Sequence, residues 1–323
     1  MTHYIAILIS FFVSFATIYM LIHLRFLHVA VDLPNHRSLH QQAVPRTGGI
    51  GLIIGILAGT GFLYCTGPQN GPAWWLYIVP LVLISFIDDM KGVPFYWRFA
   101  GHFLIASMFV VFVLPHGFLI GFLFVLLIVW MTNLFNFMDG SDGLAGGMSM
   151  FGFAAYAVAA YFQNNSAFAV INAVIASASL GFLVFNFNPA KIFMGDGGSI
   201  PLGFLAAAIG LIGYQQQLWP CWFPIIVFSP FIVDATLTLL KRLFKGEKIW
   251  QAHRSHYYQR LVQMGFGHRK TALLEYCLMV FMAASAILGL YNSKIVASLF
   301  VCWIAIYGLI IWIIDRKWRN FSA

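Results

Sequence analysis

The chain has 323 residues, of which 61% are hydrophobic and only 9% are charged. A soluble domain carries about 25% charged residues, so this composition excludes a soluble globular protein and predicts a polytopic membrane protein. The net charge of +8 is explained by contact with membrane lipid headgroups and does not indicate nucleic acid as a partner, because the basic residues are spread over loops between apolar segments.

Eleven apolar segments follow one another along the chain. They span residues 4–24, 48–66, 73–87, 98–115, 118–135, 147–163, 166–185, 200–217, 219–240, 271–290 and 295–314. About twenty apolar residues cross a bilayer as a helix. The sequence therefore predicts an all-α polytopic membrane protein with about 11 transmembrane helices, in which residues 1–323 form a single domain. The first segment has no cleavage-site pattern and is expected to be a retained helix.

The basic residues predict the orientation of these helices. With the N-terminus outside, 17 of the 18 Lys and Arg residues fall in inner segments, and only Lys294 lies outside. The inner segments are 22–47, 88–98, 136–146, 186–199, 241–270 and 315–323. Because loops rich in Lys and Arg stay on the cytoplasmic side, we predict a periplasmic N-terminus and a cytoplasmic C-terminus. This assignment requires an odd number of helices.

The acidic residues share this asymmetry. Eight of the ten Asp and Glu residues lie in inner segments, and only Asp234 and Glu275 lie within predicted helices. A transporter, the competing function, needs ionisable groups near the bilayer midplane, where only these two are candidates. A purely structural membrane protein gives no reason for so many acids at one surface. Asp234 has no role that the sequence indicates beyond that of a buried hydrogen-bond acceptor.

The segment after the fifth apolar run is the richest in oxygen ligands. Its side chains Asn133, Asn136, Asp139 and Asp142 recur at steps of three, with glycines around them. Carboxylate and amide oxygens at this density suit a hard cation and the phosphates that it neutralises. The spacing does not match an EF-hand loop, whose ligands alternate. Capping of helix ends by Asn and Asp is the alternative explanation.

Two other inner segments carry candidate acids. Asp88 and Asp89 end an apolar segment, and adjacent carboxylates raise each other's proton affinity, so one can act as a base or as a metal contact. A helix-end salt bridge with Lys91 or Arg98 is the alternative. Asp196 lies among glycines at the start of an apolar segment, where backbone N–H groups bind phosphate. We expect a metal between Asp196 and the phosphates, with simple helix capping as the alternative.

Basic residues in two inner segments are candidate ligands for an anionic substrate. In the first inner segment these residues are Arg37, His40 and Arg46. Ordinary positive charge on inner loops is the alternative for these three. In the most basic inner segment they are His253, Arg254 and His256. No third soft ligand lies near the two histidines, so we expect them to clamp a diphosphate. The four cysteines lack ligand spacing and are expected to be buried structural thiols.

In combination, these motifs resemble the polyprenyl-phosphate N-acetylhexosamine-1-phosphate transferases, which make the first lipid-linked precursor of several cell-envelope glycans. The matching motifs cover nearly the whole chain and are Asp32-x-Pro-Asn-x-Arg37-Ser, Pro45-Arg-x-Gly-Gly49, Asp88-Asp89, Asn133-x-x-Asn-Phe-Met-Asp-Gly-x-Asp-Gly143, Asn188-Pro-Ala-Lys-Ile-Phe-Met-Gly-Asp196 and His253-x-x-His256. The resemblance implies that a UDP-N-acetylhexosamine reacts with undecaprenyl phosphate, giving undecaprenyl-diphospho-sugar and UMP.

The resemblance also implies roles for individual residues. Asp196 and Asn136 would hold Mg²⁺, with Mn²⁺ as the alternative ion. Asp88 and Asp89 would deprotonate or orient the lipid phosphate, with Arg98 nearby. The family's second acidic pair corresponds to Asp139 and Asp142, which support the metal or contact the sugar. The remaining substrate-binding residues would be Asn133, Lys191, Phe193 on the uracil ring, and the phosphate clamp His253, Arg254 and His256.

The last motif separates subfamilies. Peptidoglycan enzymes carry a His-x-His-His-x-Glu-like pattern, whereas this chain has His253-Arg-Ser-His-Tyr-Tyr-Gln-Arg260 and lacks that Glu. It is therefore more similar to transferases that initiate O-antigen synthesis. Members specific for UDP-GlcNAc or UDP-MurNAc-pentapeptide, which serve enterobacterial common antigen or peptidoglycan, are the alternative. A homodimer is compatible with the sequence, which does not decide the oligomeric state.

Overall fold

The structure is a computed structural model that describes residues 1–24, 31–32, 43–67, 74–114, 116–248, 251 and 253–322. The chain is an all-α polytopic membrane protein, as its composition predicts. Its helices are α1 (Thr2–His23), α2 (Gly48–Thr66), α3 (Ile78–Lys91), α4 (Phe95–Val113), α5 (Phe118–Phe137), α6 (Leu144–Phe162), α7 (Ser166–Asn186), α8 (Asp196–Gln215), α9 (Trp222–Val227), α10 (Ser229–Phe244), α11 (Tyr257–Leu261), α12 (Gly267–Tyr291) and α13 (Val296–Ser322). Strands β1 (Val31–Asp32) and β2 (Val44–Pro45) pair in antiparallel orientation before α2.

Nine stretches of the described residues are long and apolar enough to cross a membrane. The eleven predicted segments include these nine, together with α3 and the α9–α10 pair. Helix α3 has only 14 residues, and α9 and α10 are separate short helices. The existence of a helix in every predicted segment agrees with the sequence, whereas the number of membrane crossings and the sides of the termini stay predictions.

The segment predicted as one helix over 219–240 consists of two helices. Helix α9 ends at Val227, and α10 begins at Ser229. Pro230 has no N–H group, so it cannot donate to the carbonyl oxygen of Ile226 four residues earlier. The Ser229 hydroxyl donates to that oxygen instead, at 2.7 Å. The carbonyl group therefore keeps a hydrogen bond in an apolar environment, where an unpaired one is costly.

Helix α8 lies at the centre of the bundle and is almost entirely buried. It packs against α2, α3, α5, α6 and α9. Its small residues allow this, since a Cβ atom at Gly203 would lie 2.5 Å from the Met131 carbonyl oxygen on α5. Close packing through small residues is the usual means of helix association in membranes. Helix α8 begins at Asp196, so this carboxylate lies at one end of the central helix.

The four cysteines do not occupy the buried positions expected from the sequence. Cys65, Cys221, Cys277 and Cys302 are all free thiols and all exposed on the surface of the protein. Cysteine behaves as a small hydrophobic side chain. On a helix that crosses a membrane, such a side chain can face lipid as readily as the protein interior, so an apolar sequence context does not by itself indicate burial.

Candidate active site

Charged side chains from several elements meet at the first turn of α8. The last turn of α3 carries Asp88 and Asp89, and α8 begins with Asp196. Arg98 lies in the first turn of α4, and Arg46 lies just before α2. Because α2 and α3 both pack against α8, these five side chains form one group, which we call the acidic cluster.

Each of the two arginines contacts Asp196 and one further carboxylate. Arg98 Nη1 lies 2.5 Å from Asp88 Oδ2 and 3.1 Å from Asp196 Oδ2. Arg46 Nη2 lies 3.5 Å from Asp89 Oδ1 and 3.7 Å from Asp196 Oδ1. The carboxylates are nearly buried, whereas 36% of the Arg46 side chain and 35% of the Arg98 side chain are exposed. The two arginine side chains are therefore the most accessible part of the acidic cluster.

Asp89 lies beyond the predicted segment 73–87 and is surrounded by other charges. Burial raises the pKa of its carboxyl group to about 7, and the negative charge of Asp196 acts in the same direction. Arg46 opposes this shift in pKa, as does the Gly197 backbone N–H, which donates to Asp89 Oδ2 at 3.4 Å. A carboxyl group with such a pKa can take up and release a proton at physiological pH.

The loop between α5 and α6 closes the acidic cluster from another side. Asn136, in the last turn of α5, makes a side-chain hydrogen bond with Asp196. Asp139 accepts a hydrogen bond from the Gly195 backbone N–H, and burial raises the pKa of Asp139 well above its usual value. Asp196 and Asn136, the two residues expected to hold a metal ion, are therefore in direct contact.

The side chains of Asp196 and Asn136 carry the kind of donor atoms that suit Mg²⁺. In the part of the chain that the structure describes, no three His, Cys, Asp or Glu side chains form a metal-ligand group. Mg²⁺ does not need one, because it is usually held by one or two protein carboxylates together with substrate phosphates and water. A side-chain hydrogen bond brings the Asp196 carboxylate and the Asn136 amide group together. This donor set fits an ion that is bound jointly with a diphosphate.

Asp142 connects the loop after α5 to the loop before α8. Its Oδ2 accepts hydrogen bonds from Asn188 Nδ2 at 2.8 Å and from the Ala190 backbone N–H at 3.1 Å. Asn188 and Ala190 belong to the loop that leads from α7 to Asp196. The carboxylate of Asp142 therefore joins the loop that carries Asp139 to the loop that leads into Asp196.

A polar pocket adjoins the acidic cluster. Its lining residues are Arg46, Asp139, Gly140, Ser141, Asp142, Asn186, Phe193, Gly195 and His268. The Oγ atom of Ser141 lies 2.9 Å from His268 Nδ1, which lies 3.8 Å from Asp142 Oδ1. The pocket thus combines an aromatic ring with several hydrogen-bonding groups. Such a lining suits a flat polar group, for example a nucleobase.

The histidine segment, residues 253–256, lies beside the same loop. His256 is buried, and its ring stacks on that of Phe137 with the centroids 6.3 Å apart. The hydroxyl group of Tyr258, which follows in α11, donates to the Phe137 carbonyl oxygen at 3.1 Å. Phe137 is the neighbour of Asn136 in the chain. The histidine segment is therefore attached to the end of α5 that carries Asn136.

The two predicted clamp histidines have different surroundings. The ring centroids of His253 and His256 lie 4.8 Å apart. Burial, together with the neighbouring His256 and Arg242, lowers the pKa of His253 to about 4. His253 is therefore neutral at physiological pH, so it can form a hydrogen bond with a phosphate but cannot add positive charge. Arg254 is exposed and supplies the positive charge of the segment.

Asp234 on α10 holds the histidine segment in place. Its buried carboxylate accepts the backbone N–H groups of Tyr257 and Tyr258, each at 2.9 Å. Its Oδ1 also lies 3.2 Å from His256 Nδ1. The first N–H groups of a helix have no partner within that helix, and here a carboxylate from another helix caps them. The interpretation of Asp234 as a buried acceptor agrees with these contacts.

Some expected substrate-binding residues lie at the margin of the site. Asn133 Nδ2 donates to a backbone carbonyl oxygen of its own helix at 2.7 Å. Lys191 is exposed at the surface of the loop before α8. Arg37 and His40 lie outside the described residues. Substrate contacts by all four residues stay predictions.

Two pocket residues, Asn186 and His268, have no expected role in the sequence. His268 follows Gly265 and Gly267, which both have positive φ, at the start of α12. The only local feature of the sequence that could indicate a role for His268 is that it is a polar residue after a glycine turn in the most basic inner segment. The approach of His268 to Ser141 depends on the packing of α12 against α6, which sequence periodicity does not reveal.

Comparison with known proteins gives matches over most of the chain. Residues 72–214 match the family model described as glycosyl transferase family 4. The Bacillus subtilis (strain 168) protein named "Probable undecaprenyl-phosphate N-acetylglucosaminyl 1-phosphate transferase" is 31% identical over 316 residues, covering 91% of this chain and 87% of that protein. The decaprenyl-phosphate N-acetylglucosaminephosphotransferase of Mycobacterium tuberculosis (strain H37Rv) is 30% identical, covering 87% of this chain and 81% of its own.

A third relative has a different transferred group in its name. The phospho-N-acetylmuramoyl-pentapeptide-transferase of Geobacillus kaustophilus is 31% identical over 259 residues, covering 69% of this chain and 78% of that protein. The first two names therefore differ in the polyprenyl phosphate, and the third differs from both in the phosphosugar that is transferred.

Proposed function

This chain belongs to glycosyl transferase family 4, and we propose that it transfers an N-acetylhexosamine 1-phosphate from a UDP-sugar to undecaprenyl phosphate. Its relatives support the coarser activity, the transfer of a phosphosugar to a polyprenyl phosphate. The products are undecaprenyl-diphospho-sugar and UMP, formed at the cytoplasmic face of the bacterial inner membrane. The observation that carries the proposal is the convergence of three carboxylates and two arginines at the start of α8.

The reaction exchanges one phosphoanhydride bond for another. A phosphate oxygen of the lipid attacks the phosphorus that is attached to the sugar, and the bond from that phosphorus to the bridging oxygen breaks to release UMP. Phosphoryl transfer depends mainly on positioning and on charge neutralisation. Arg46 and Arg98 are accessible and supply two positive charges, so they reduce the repulsion between the lipid phosphate and the diphosphate.

Asp88 and Asp89 differ in the groups that surround them. Asp88 pairs with Arg98 and accepts the Val93 backbone N–H at 2.7 Å, so it orients that guanidinium group. Asp89 lies between Arg46 and the first N–H groups of α8. In the proposed reaction, Asp89 accepts a proton from the lipid phosphate, and Asp88 keeps Arg98 directed at the same phosphate.

Mg²⁺ is the proposed cofactor, and Mn²⁺ is the alternative. Asp196 and Asn136 would hold the ion. When bound, it neutralises negative charge on the diphosphate and on the leaving UMP. The positive end of the α8 dipole favours phosphate, but the carboxylate of Asp196 at that same point repels it. Asp196 and Asn136 would hold a cation at this point, and its positive charge would offset the repulsion.

The polar pocket is proposed to bind the uracil of the UDP-sugar, and the histidine segment is proposed to bind its phosphates. Phe193 provides a ring against which the uracil can stack, and Ser141 and His268 provide hydrogen-bonding groups beside it. Arg254 and the neutral His253 face the phosphates from the side of α11. This division places the scissile bond between the pocket and the acidic cluster.

An apolar groove is proposed to hold the hydrocarbon chain of the acceptor. It lies among α5, α6, α8, α9 and α10 and follows α5 from Ile120 to Met131. With a helical rise of about 1.5 Å per residue, this length corresponds to roughly 16 Å, about half of the hydrocarbon thickness of a bilayer. Met131, at one end of the groove, lies within two turns of Asn136, whereas the lining on α8 runs from Ala206 to Tyr214. Ala206 is about 15 Å along α8 from Asp196, so the groove would hold a part of the hydrocarbon chain that lies away from the phosphate.

The finer proposal concerns the donor sugar. The segment from His253 to Arg260 lacks the Glu of the peptidoglycan pattern, which supports initiation of O-antigen or related lipopolysaccharide synthesis with an N-acetylhexosamine such as N-acetylfucosamine or N-acetylquinovosamine. The names of two of the relatives contain N-acetylglucosamine, so UDP-GlcNAc is the second candidate donor.

A panel of UDP-sugars tests the function. Purified protein in lipid is mixed with undecaprenyl phosphate, Mg²⁺ and one UDP-N-acetylhexosamine at a time, and both UMP and lipid-linked product are measured. We expect UMP release to require the lipid phosphate and to stop in EDTA, with recovery on addition of Mg²⁺ or Mn²⁺. Full activity in EDTA would exclude the metal. Absence of lipid-linked product with every donor would exclude the proposed reaction.

A further inference from the structure

Asp315, near the end of α13, is the centre of an ion network behind the histidine segment. Its Oδ2 lies 2.5 Å from Lys241 Nζ on α10, and its Oδ1 lies 2.9 Å from Arg260 Nη1 on α11. The Tyr257 hydroxyl donates to Asp315 Oδ2 at 3.5 Å and accepts a hydrogen bond from Lys241. A single carboxylate therefore joins α10, α11 and α13.

Arg260 connects this network to the histidine segment. Its Nε donates to the Ser255 backbone carbonyl oxygen at 2.8 Å. Its guanidinium group lies over the rings of Tyr257 and Trp318, at 4.9 Å and 5.6 Å from their centroids. Only 12% of the Arg260 side chain is exposed. A planar group that is held by rings and by a carboxylate has a defined orientation, so it fixes the carbonyl group of Ser255.

Two carboxylates therefore hold the histidine segment from different sides. Asp234 binds the N–H groups that follow His256. Asp315 acts through Arg260 on the carbonyl group that precedes His256. Together they restrict the peptide that carries His256 at both of its ends.

We propose that Asp315 is a positioning residue for the phosphosugar transfer. By orienting Arg260, it sets where the histidine segment lies relative to the acidic cluster, although it contacts no part of that cluster in the described residues. The proposal rests on the proposed function, in which the histidine segment binds the phosphates of the UDP-sugar. It makes the last helix of the chain a part of the machinery that aligns the donor.

The negative charge of Asp315 is the property that matters. Lys241 and Arg260 both face this carboxylate, and without it the two cations would repel each other. An amide at position 315 has a similar shape, but it neutralises neither cation. Arg260 would then lose its charged partner, and its hydrogen bond to Ser255 would no longer be held in one orientation. Asp315→Asn therefore removes the negative charge while it keeps the packing of α13.

The test compares three single variants, Asp315→Asn, Asp315→Glu and Arg260→Ala. It also includes the double variant that combines Asp315→Asn with Arg260→Ala. Turnover and the KM for the UDP-sugar are measured, together with the melting temperature. Glu247→Gln is the matched control. Glu247 lies in the inner segment 241–270, which also contains Lys241 and Arg260, and its carboxylate pairs with Arg242 at 2.7 Å, outside the network around Asp315. Trypsin cleavage of the bond between Arg254 and Ser255, followed by mass spectrometry, reports the mobility of the segment without using activity.

We expect Asp315→Asn to lower kcat/KM by about 10- to 100-fold, the range for a misplaced substrate contact, with little change in melting temperature. Asp315→Glu should restore most of the loss, Glu247→Gln should behave as the wild type, and the double variant should be no worse than Arg260→Ala. Cleavage after Arg254 should become faster only in the variants of the network. Wild-type kcat/KM and cleavage rate in Asp315→Asn, or additive losses in the double variant, would overturn the proposal.

Failure of the proposed function gives a different result. If the wild-type protein transfers no sugar phosphate, the reaction is wrong, and the cleavage rates alone still decide whether Asp315 holds the segment. If the wild type is active and Asp315→Asn is equally active and equally resistant to trypsin, the reaction stands and the positioning role does not.

Discussion

Asp196 is the carboxylate that Arg46 and Arg98 share. It also forms a side-chain hydrogen bond with Asn136, at the residue where α8 begins. Asp196→Asn keeps the shape of the side chain but removes its charge, so both ion pairs and the proposed metal contact are weakened together. Removal of one preorganised electrostatic group typically lowers turnover by about 100- to 1000-fold. We expect UMP release to fall by about 100-fold or more in the Asp196→Asn protein.

The measurement is UMP release at saturating undecaprenyl phosphate, accompanied by the melting temperature of the same preparation. The melting temperature should stay close to that of the wild type, since the amide has nearly the same volume. Glu247→Gln serves as the control for an acid-to-amide change outside the acidic cluster. A folded Asp196→Asn protein with near wild-type turnover would show that the metal ligand lies elsewhere.

The identity of the charged residues could be predicted from the sequence, but their partners could not. Asp88, Asp89 and Asp196 lie beside apolar segments, where an ionised group without a function or partner is costly. Arg98 lies 10 positions from Asp88 and 98 positions from Asp196 in the chain, and it contacts both. No local pattern relates these separations. The contact between His268 and Ser141 of the pocket spans 127 positions, which is why no role for His268 could be predicted from the sequence.

At the scale of elements, α2 and α8 cross with their backbones in contact next to the site. The Gly49 backbone N–H donates to the Met194 carbonyl oxygen at 2.9 Å. A Cβ atom at Gly49 would lie 2.4 Å from the Cα and N atoms of Gly198 and 2.6 Å from that oxygen. These atoms belong to the backbone and cannot rotate away. The absence of a side chain at Gly49 is therefore what allows α2 to lie this close to Asp196.

We expect Gly49→Ala to destabilise the protein by about 1–3 kcal/mol, the usual range for overpacking, and to reduce activity because the start of α8 must shift. Melting temperature in detergent and UMP release measure the two effects. Gly61→Ala in the same helix is the matched control, since none of the described residues has a heavy atom within 4 Å of a Cβ there. Alanine favours a helix over glycine by about 1 kcal/mol, so this control should melt no earlier than the wild type. Equal destabilisation of both variants would contradict the close crossing.

Long elements could be predicted from the sequence, whereas short elements depend on distant partners. Hydropathy predicted a helical segment wherever the structure has a long apolar helix. Helix α11 has only five residues, which is too short for a periodic pattern to indicate. Its first N–H groups are capped by Asp234 of α10, so its start is determined by tertiary structure. The break between α9 and α10 likewise needs the combination of Pro230 with the Ser229 hydroxyl.

At the scale of the whole molecule, the inner segments of the predicted topology meet at one end of the helix bundle. The contacts that join them are Arg46–Asp196, Arg98–Asp196, Asp142–Asn188, Tyr258–Phe137 and Arg260–Asp315. At the opposite end, Asn165 Nδ2 donates to Gln216 Oε1 at 3.3 Å and joins two segments predicted to lie outside. Counting hydrophobic segments predicts which loops lie at the same end of the bundle, because each membrane crossing places the next loop on the opposite side of the membrane. Which end faces the cytoplasm follows only from the distribution of Lys and Arg.

Reporter fusions test that orientation. Since 17 of the 18 Lys and Arg residues lie in the inner segments, we expect green fluorescent protein fused after Ala323 or after Gly246 to fluoresce in a bacterial host. Alkaline phosphatase at the same two positions should be inactive, whereas phosphatase fused after Asn164 should be active. The opposite pattern would place the acidic cluster in the periplasm, away from cytoplasmic UDP-sugars. It would therefore contradict the proposed reaction as well as the topology, because the donor could not reach Arg46 and Arg98 without crossing the membrane.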